Sequence, residues 1–131
     1  LEDLVSGTAI SKIYELKTTK KLSSERIYEK FKENDKIATE VINGFIKSLA
    51  ETLSDLALTF LPGDGIFLAG SLIRNLYKEI NKNDFNYAFL GNRKDAHKNI
   101  LDMVSINVIM KERTPLYGNL KLFKTITKDC V

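Results

Sequence analysis

The sequence predicts an α/β fold, rich in helix, with at least two parallel strands. Three observations predict it. Ile66-Phe67-Leu68 is a short apolar run bounded by Asp64-Gly65 turn chemistry and by Ala69-Gly70-Ser71. Val104 to Met110 alternates apolar and polar positions with β-branched residues, as a strand does. Between them lie segments of helical period, and two strands joined by a helical crossover run parallel. Three consecutive apolar residues, Ile66 to Leu68, imply a strand buried on both faces.

Ser6-Gly7 precedes Ile10, Ile13, Tyr14 and Leu16, whose spacing marks a first helix capped by Ser6 or Thr8. It ends in the polar run Lys17 to Lys21. Ser23 or Ser24 caps a second helix through Asn34, with Ile27, Tyr28 and Phe31 inward and Glu25 suited to the dipole of its first turn. Asp35 caps the third and longest, which keeps its period from Ile37 to Leu61 and spans about 35 Å at ~1.5 Å per residue. Its apolar face widens toward the end, so its last turns are expected to be the most buried. Gly44 in its interior costs about 1 kcal/mol relative to Ala and suggests close packing against a neighbour. Pro62 and Gly63 stop this helix.

Leu72 to about Asn81 reads as a fourth helix, Phe85 to Phe89 as a short helical piece, and His97 to Met103 as one or two further turns. Pro115 ends the second strand's reach, and Leu116 to Ile126 form the final helix. Two strands do not stand alone as a sheet. Further strands are expected from residues upstream of Leu1 or from a partner chain. The chain begins at Leu1, with Glu2 to Ile13 already reading as an element in progress, so a piece of a longer protein or a processed form is expected.

The 131 residues suit one domain with a real core, 44% apolar and 28% charged. A net charge of +3 with dispersed lysines argues against nucleic acid, and Lys17, Lys20 and Lys21 read as a solvated helix end. The single cysteine, Cys130, permits no internal disulfide and weakly favours a reducing compartment. No apolar run of ~18 residues offers a membrane span and no signal peptide is found, so the expectation is a cytoplasmic protein without membrane partners. The only histidine, His97, lies in a polar segment and reads as a surface residue; no residues show metal-ligand spacing.

Ala69-Gly70-Ser71 leaves almost no side chain where the first strand ends, so a ligand or second backbone can approach. Small residues there also serve plain strand-to-helix packing.

Several stretches together resemble one family. Glu2-Asp3-Leu4-Val5-Ser6-Gly7-Thr8-Ala9-Ile10-Ser11-Lys12-Ile13-Tyr14 resembles the Glu-x-x-x-Ser-Gly-x-Gly-Leu-x-x-Ile-Tyr stretch of bacterial glucokinases. Leu53 to Phe60 is similar to that family's Gly-Asn-Leu-Ala-Leu segment, and Gly65 to Leu72 to its Gly-Val-Phe-Ile-Ala-Gly-Gly-Ile adenosine motif. Phe85-x-x-Ala88-Phe89, Ile106 to Ile109 and Pro115-Leu116-Tyr117-Gly118 follow in the family's order.

The resemblance implies the C-terminal part of an RNase H-like domain of the actin-like ATPase (hexokinase) fold. Residues 1–131 would be a single domain of a two-domain kinase whose catalytic N-terminal half is absent. The activity implied is transfer of the γ-phosphoryl of Mg-ATP to the 6-hydroxyl of glucose, with ATP and Mg²⁺ as cofactors, glucose as partner and a possible homodimer. Glu2 falls on the carboxylate that accepts from sugar hydroxyls, and Gly70 and Ser71 on the paired glycines beneath the adenosine. Ser71 and Ala9 depart from glycine, and the Ser71 hydroxymethyl group bears on nucleotide binding. The family's phosphate turn, catalytic Asn-Asp pair, Glu-Gly-Gly-His motif and Mg²⁺ ligands have no counterpart in this chain. The alternative is a non-catalytic kinase relic that associates with other proteins through its third helix.

Overall fold

The computed structural model describes residues 6–128. In chain order the elements are α1 (Gly7–Thr18), α2 (Ser24–Lys32), α3 (Lys36–Phe60), β1 (Ile66–Leu68), α4 (Ser71–Leu76), α5 (Lys82–Leu90), α6 (Asp95–Asp102), β2 (Ile106–Val108) and α7 (Thr114–Lys128). Side chains set several of the starts. Ser6 Oγ accepts from the Ala9 N–H at 3.1 Å, Ser23 Oγ from Arg26 at 3.3 Å and Asp35 Oδ1 from Ala38 at 2.8 Å, each satisfying an otherwise orphaned donor. Asn81 does the same for α5, accepting from Asn83 at 2.9 Å.

The core forms around α3. Val41, Ile42, Phe45, Ile46, Leu49, Ala50, Leu53 and Ala57 line its buried face at helical spacing. Helices α1 and α2 cover one side of it and α5 and α6 another. Most of this face is thus filled from within the chain.

Two expectations about α3 are corrected. Its end is not its most buried part: Phe60 is 72% exposed and Leu61 60%. The covering helices lie against the stretch from Ala38 to Ala57, and the backbone then leaves through Leu61 in a left-handed conformation (φ 47°). Gly44 marks no close packing, since a Cβ built there meets nothing within 4 Å. Helix α4 is also shorter than expected, ending at Leu76 in a turn.

The strands β1 and β2 pair in parallel, with Ile66 opposite Ile106, Phe67 opposite Asn107 and Leu68 opposite Val108. Ile66 N–H donates to the Ser105 carbonyl at 2.8 Å, and Ile109 N–H to the Leu68 carbonyl at 2.8 Å. They form a two-stranded sheet among the described residues. The expectation of two buried faces fails for β1. Ile66 and Leu68 turn toward the core, whereas Phe67 is 59% exposed. Helices cover one side of the sheet, so the alternation natural to a strand shows in its burial.

The approach to β1 depends on Gly65. Its φ is +88°, and a Cβ there would lie 2.1 Å from Ser105 Oγ and 2.6 Å from the Ser105 carbonyl oxygen. Only glycine lets the two strands meet at this register.

Candidate functional site

The chain leaves β1 at Leu68 and reaches α4 through Ala69 and Gly70. Gly70 has φ +143° and ψ 153°, and no side chain caps the start of α4. Ala69, Gly70 and Ser71 are all exposed. A Cβ placed on Gly70 would meet only Ile73 Cγ2, at 4.0 Å. The corner is therefore open backbone outside the carboxyl end of a parallel strand, where α/β folds place ligands. It has a purely backbone reason for glycine as well, since the dihedral at Gly70 strains any L side chain.

Helix α4 is held from below. Ile73 and Leu76 bury into the core. The Tyr28 hydroxyl donates to the Asn75 carbonyl at 3.0 Å and lies 3.3 Å from Glu79 Oε1, tying α2 to the end of α4. Burial, with the Glu79 charge beside it, pushes the Tyr28 phenol above its ordinary value of 10.0.

Two hollows flank these elements. An open, mostly apolar hollow of about 440 Å³ lies between the covered face of the sheet and α4–α6, walled by residues such as Leu68, Ile73, Tyr77, Phe85 and Val108, with Lys82, Asn86 and Asp102 among its polar lining. Gly70 and Ser71 are not among its walls. A polar cleft of about 790 Å³ lies between α3 and the turn joining α5 to α6, where the Arg93 guanidinium donates to the Asp55 carboxylate. Lys47 stands 4.0 Å from Glu51 in the same cleft. The Asp55–Arg93 tie joins residues 38 apart in sequence, and no local pattern announces it.

Of the residues singled out from sequence, Gly70 and Ser71 stand side by side at the corner. Glu2 lies outside the described residues, as does Cys130. His97 is exposed on α6. Among the described residues no group of three or more His, Cys, Asp or Glu side chains could hold a metal ion. No helix among them is long and apolar enough to cross a membrane.

The Glucokinase family model matches residues 1–125. The glucokinase of Mesorhizobium japonicum is 29% identical over 84 residues, covering 64% of this chain and 24% of the relative. The glucokinase of a Chelativorans species matches to the same extent, 29% over 84 residues. The match spans about a quarter of the length of these curated relatives, 24% in each. With the parallel β1–β2 pair, the glycine corner and a family match that runs almost end to end, the chain belongs to the glucokinase family.

Proposed function

We propose that the chain is the C-terminal portion of an ATP-dependent glucokinase, a two-domain kinase that passes the γ-phosphoryl of Mg-ATP to the 6-hydroxyl of glucose in the cytoplasm. The observation that carries this reading is the corner at Gly70 and Ser71. It is exposed, nearly free of side-chain bulk, and set at the carboxyl end of β1. An adenine or ribose ring can lie flat on backbone of this kind, because little projects to hold it away. The Tyr28 tie and the buried Ile73 and Leu76 keep that wall in place.

Phosphoryl transfer is mostly positioning and electrostatics. This chain's share is positioning. The corner orients the nucleoside end of ATP, and Glu2 accepts hydrogen bonds from sugar hydroxyls, a task suited to a carboxylate with several lone pairs. The base, the phosphate-cradling turn and the Mg²⁺ ligands belong to the upstream half. When bound, Mg²⁺ would neutralise charge on the transferring phosphates; the described residues provide no ligand cluster for it.

Glucose-dependent ADP release by the natural protein tests this. Gly70 is a poor site to mutate, because substitution strains the backbone whatever binds there. Ser71 opens α4 in ordinary helical geometry and is exposed. Ser71→Leu should raise the KM for ATP by about tenfold or more, the loss of roughly 1.4 kcal/mol of nucleotide binding, and leave the KM for glucose unchanged. Ser71→Gly should lower the ATP KM. Glu2→Ala should raise the glucose KM and spare that for ATP. No turnover with glucose in the wild-type protein, or substitutions without these separate effects, would refute the reading.

A further inference from the structure

The helix that carries Ser71 at its first position is too short to hold its own place. α4 runs for 6 residues, well under the roughly 12–15 at which an isolated helix becomes even marginal in water. No side chain caps its start. Among the described residues no other helix packs along it as α1, α2 and α5 pack along α3. Ile73 and Leu76 bury beneath it, but apolar burial is non-directional and does not by itself fix the tilt of so short a helix.

Direction comes from α1 and α2. At the near end, a Cβ built on Gly7 would stand 3.2 Å from Ser24 Oγ and 3.9 Å from Leu72 Cδ2, so the starts of α1, α2 and α4 meet where no side chain intervenes. At the far end, the Tyr28 hydroxyl donates to the Asn75 carbonyl at 3.0 Å. That carbonyl belongs to the last turn, whose acceptors have no partner inside the helix. Among the described residues this is the one side-chain hydrogen bond that reaches α4 from another element. Its donor is itself held. Tyr28 stacks on Phe31 with ring centres 6.2 Å apart, the Lys32 ammonium lies 5.7 Å from the centre of its ring, and the adjacent Ile27 is fully buried where α2 packs on α3. Asn75 is about one turn on from Ser71, roughly 6 Å along the axis at ~1.5 Å per residue, so a shift at one end of α4 is carried to the other.

We propose that Tyr28 is a positioning residue for the nucleotide: its hydroxyl fixes the end of α4 and thereby where Ser71 stands against the nucleoside of ATP. Tyr28 acts in this way if the corner is the adenosine wall of the kinase reading, on which the assignment rests. It makes α2, which lies outside the corner, part of what sets ATP affinity. The Glu79 carboxylate, 3.3 Å from the same hydroxyl, is the rival acceptor. A bond to it would tie Tyr28 to the turn after α4 rather than to the helix.

The test is steady-state kinetics of the natural protein, by glucose-dependent ADP release, for wild type, Tyr28→Phe, Glu79→Ala, Ser71→Leu and the double variant Tyr28→Phe/Ser71→Leu. Phenylalanine keeps the ring with its Phe31 and Lys32 contacts and removes only the hydroxyl; the urea midpoint of each variant checks the fold. Tyr28→Phe should raise the ATP KM about threefold or more, the scale of one net hydrogen bond, and leave the glucose KM unmoved. Glu79→Ala should leave both near wild type. The double variant should raise the ATP KM by less than the product of the two single effects, since both act on one wall. A merely structural tie would lower the urea midpoint and move neither KM, and that result would overturn the proposal. So would ATP and glucose KM values raised alike, a Glu79→Ala effect equal to that of Tyr28→Phe, or single effects that multiply. If Ser71→Leu raises the ATP KM and Tyr28→Phe does not, Tyr28 is no positioning residue and the kinase reading stands. If neither variant moves it, or wild type shows no turnover, both fall.

Discussion

Ser54 sits on α3 with no solvent exposure, and its hydroxyl has no hydrogen-bond partner. A buried unpaired hydroxyl is a cost to the fold. Ser54→Ala should therefore raise stability by about 1 kcal/mol, read as a higher urea midpoint at constant slope. A lower midpoint would mean that the hydroxyl is satisfied in solution. Gly65 carries the opposite expectation. A methyl group there collides with the Ser105 backbone and the backbone dihedral is left-handed, so Gly65→Ala should cost about 1–3 kcal/mol. The same urea titration decides it, and an unchanged midpoint would show that β1 and β2 can part at this end without penalty. Residue chemistry of this kind is only partly legible in sequence. Asp64-Gly65 announces a turn, but the reason for glycine at 65 is a serine 40 residues away.

The helix starts were the most legible elements. Ser6, Ser23 and Asp35 each precede a run of helical period, and each side chain accepts from the N–H three residues on. Burial was less legible, because apolar character does not say which neighbour will arrive. Phe60, Leu61 and Phe67 are as hydrophobic as Phe45 and Leu53, yet they are exposed while the latter are buried. Only the packing of α1, α2, α5 and α6 on the middle of α3 separates the two sets. One contact between elements is sensitive to pH. Lys17 Nζ donates to Glu40 Oε1 at 2.6 Å and joins α1 to α3, holding the Glu40 carboxyl below its ordinary value of 4.5. A carboxyl whose folded pKa is depressed stabilises the fold above its unfolded pKa. That contribution is lost as pH falls through the folded one. Glu40→Gln should accordingly flatten the fall of the urea midpoint with pH below about 4.5. An acid limb identical to wild type would show that this exposed pair is screened out.

At the scale of the whole molecule, two parallel strands and the helices around them make up part of a kinase fold, and the match covers 24% of each curated relative's length. The candidate site was legible as a run of small residues at a strand end. Its geometry was not: Gly70 owes its glycine to a φ of +143°, which explains that residue with or without a nucleotide. Ser71 opens α4 in ordinary helical geometry, so it is free of that ambiguity and separates a ligand wall from a tight turn. The most direct test of the account is the KM for ATP of the natural protein carrying Ser71→Leu beside wild type, in an assay of glucose-dependent ADP release. The account predicts an ATP KM raised by about tenfold or more with the glucose KM unmoved. Equal ATP KM values in an active, folded variant would contradict it.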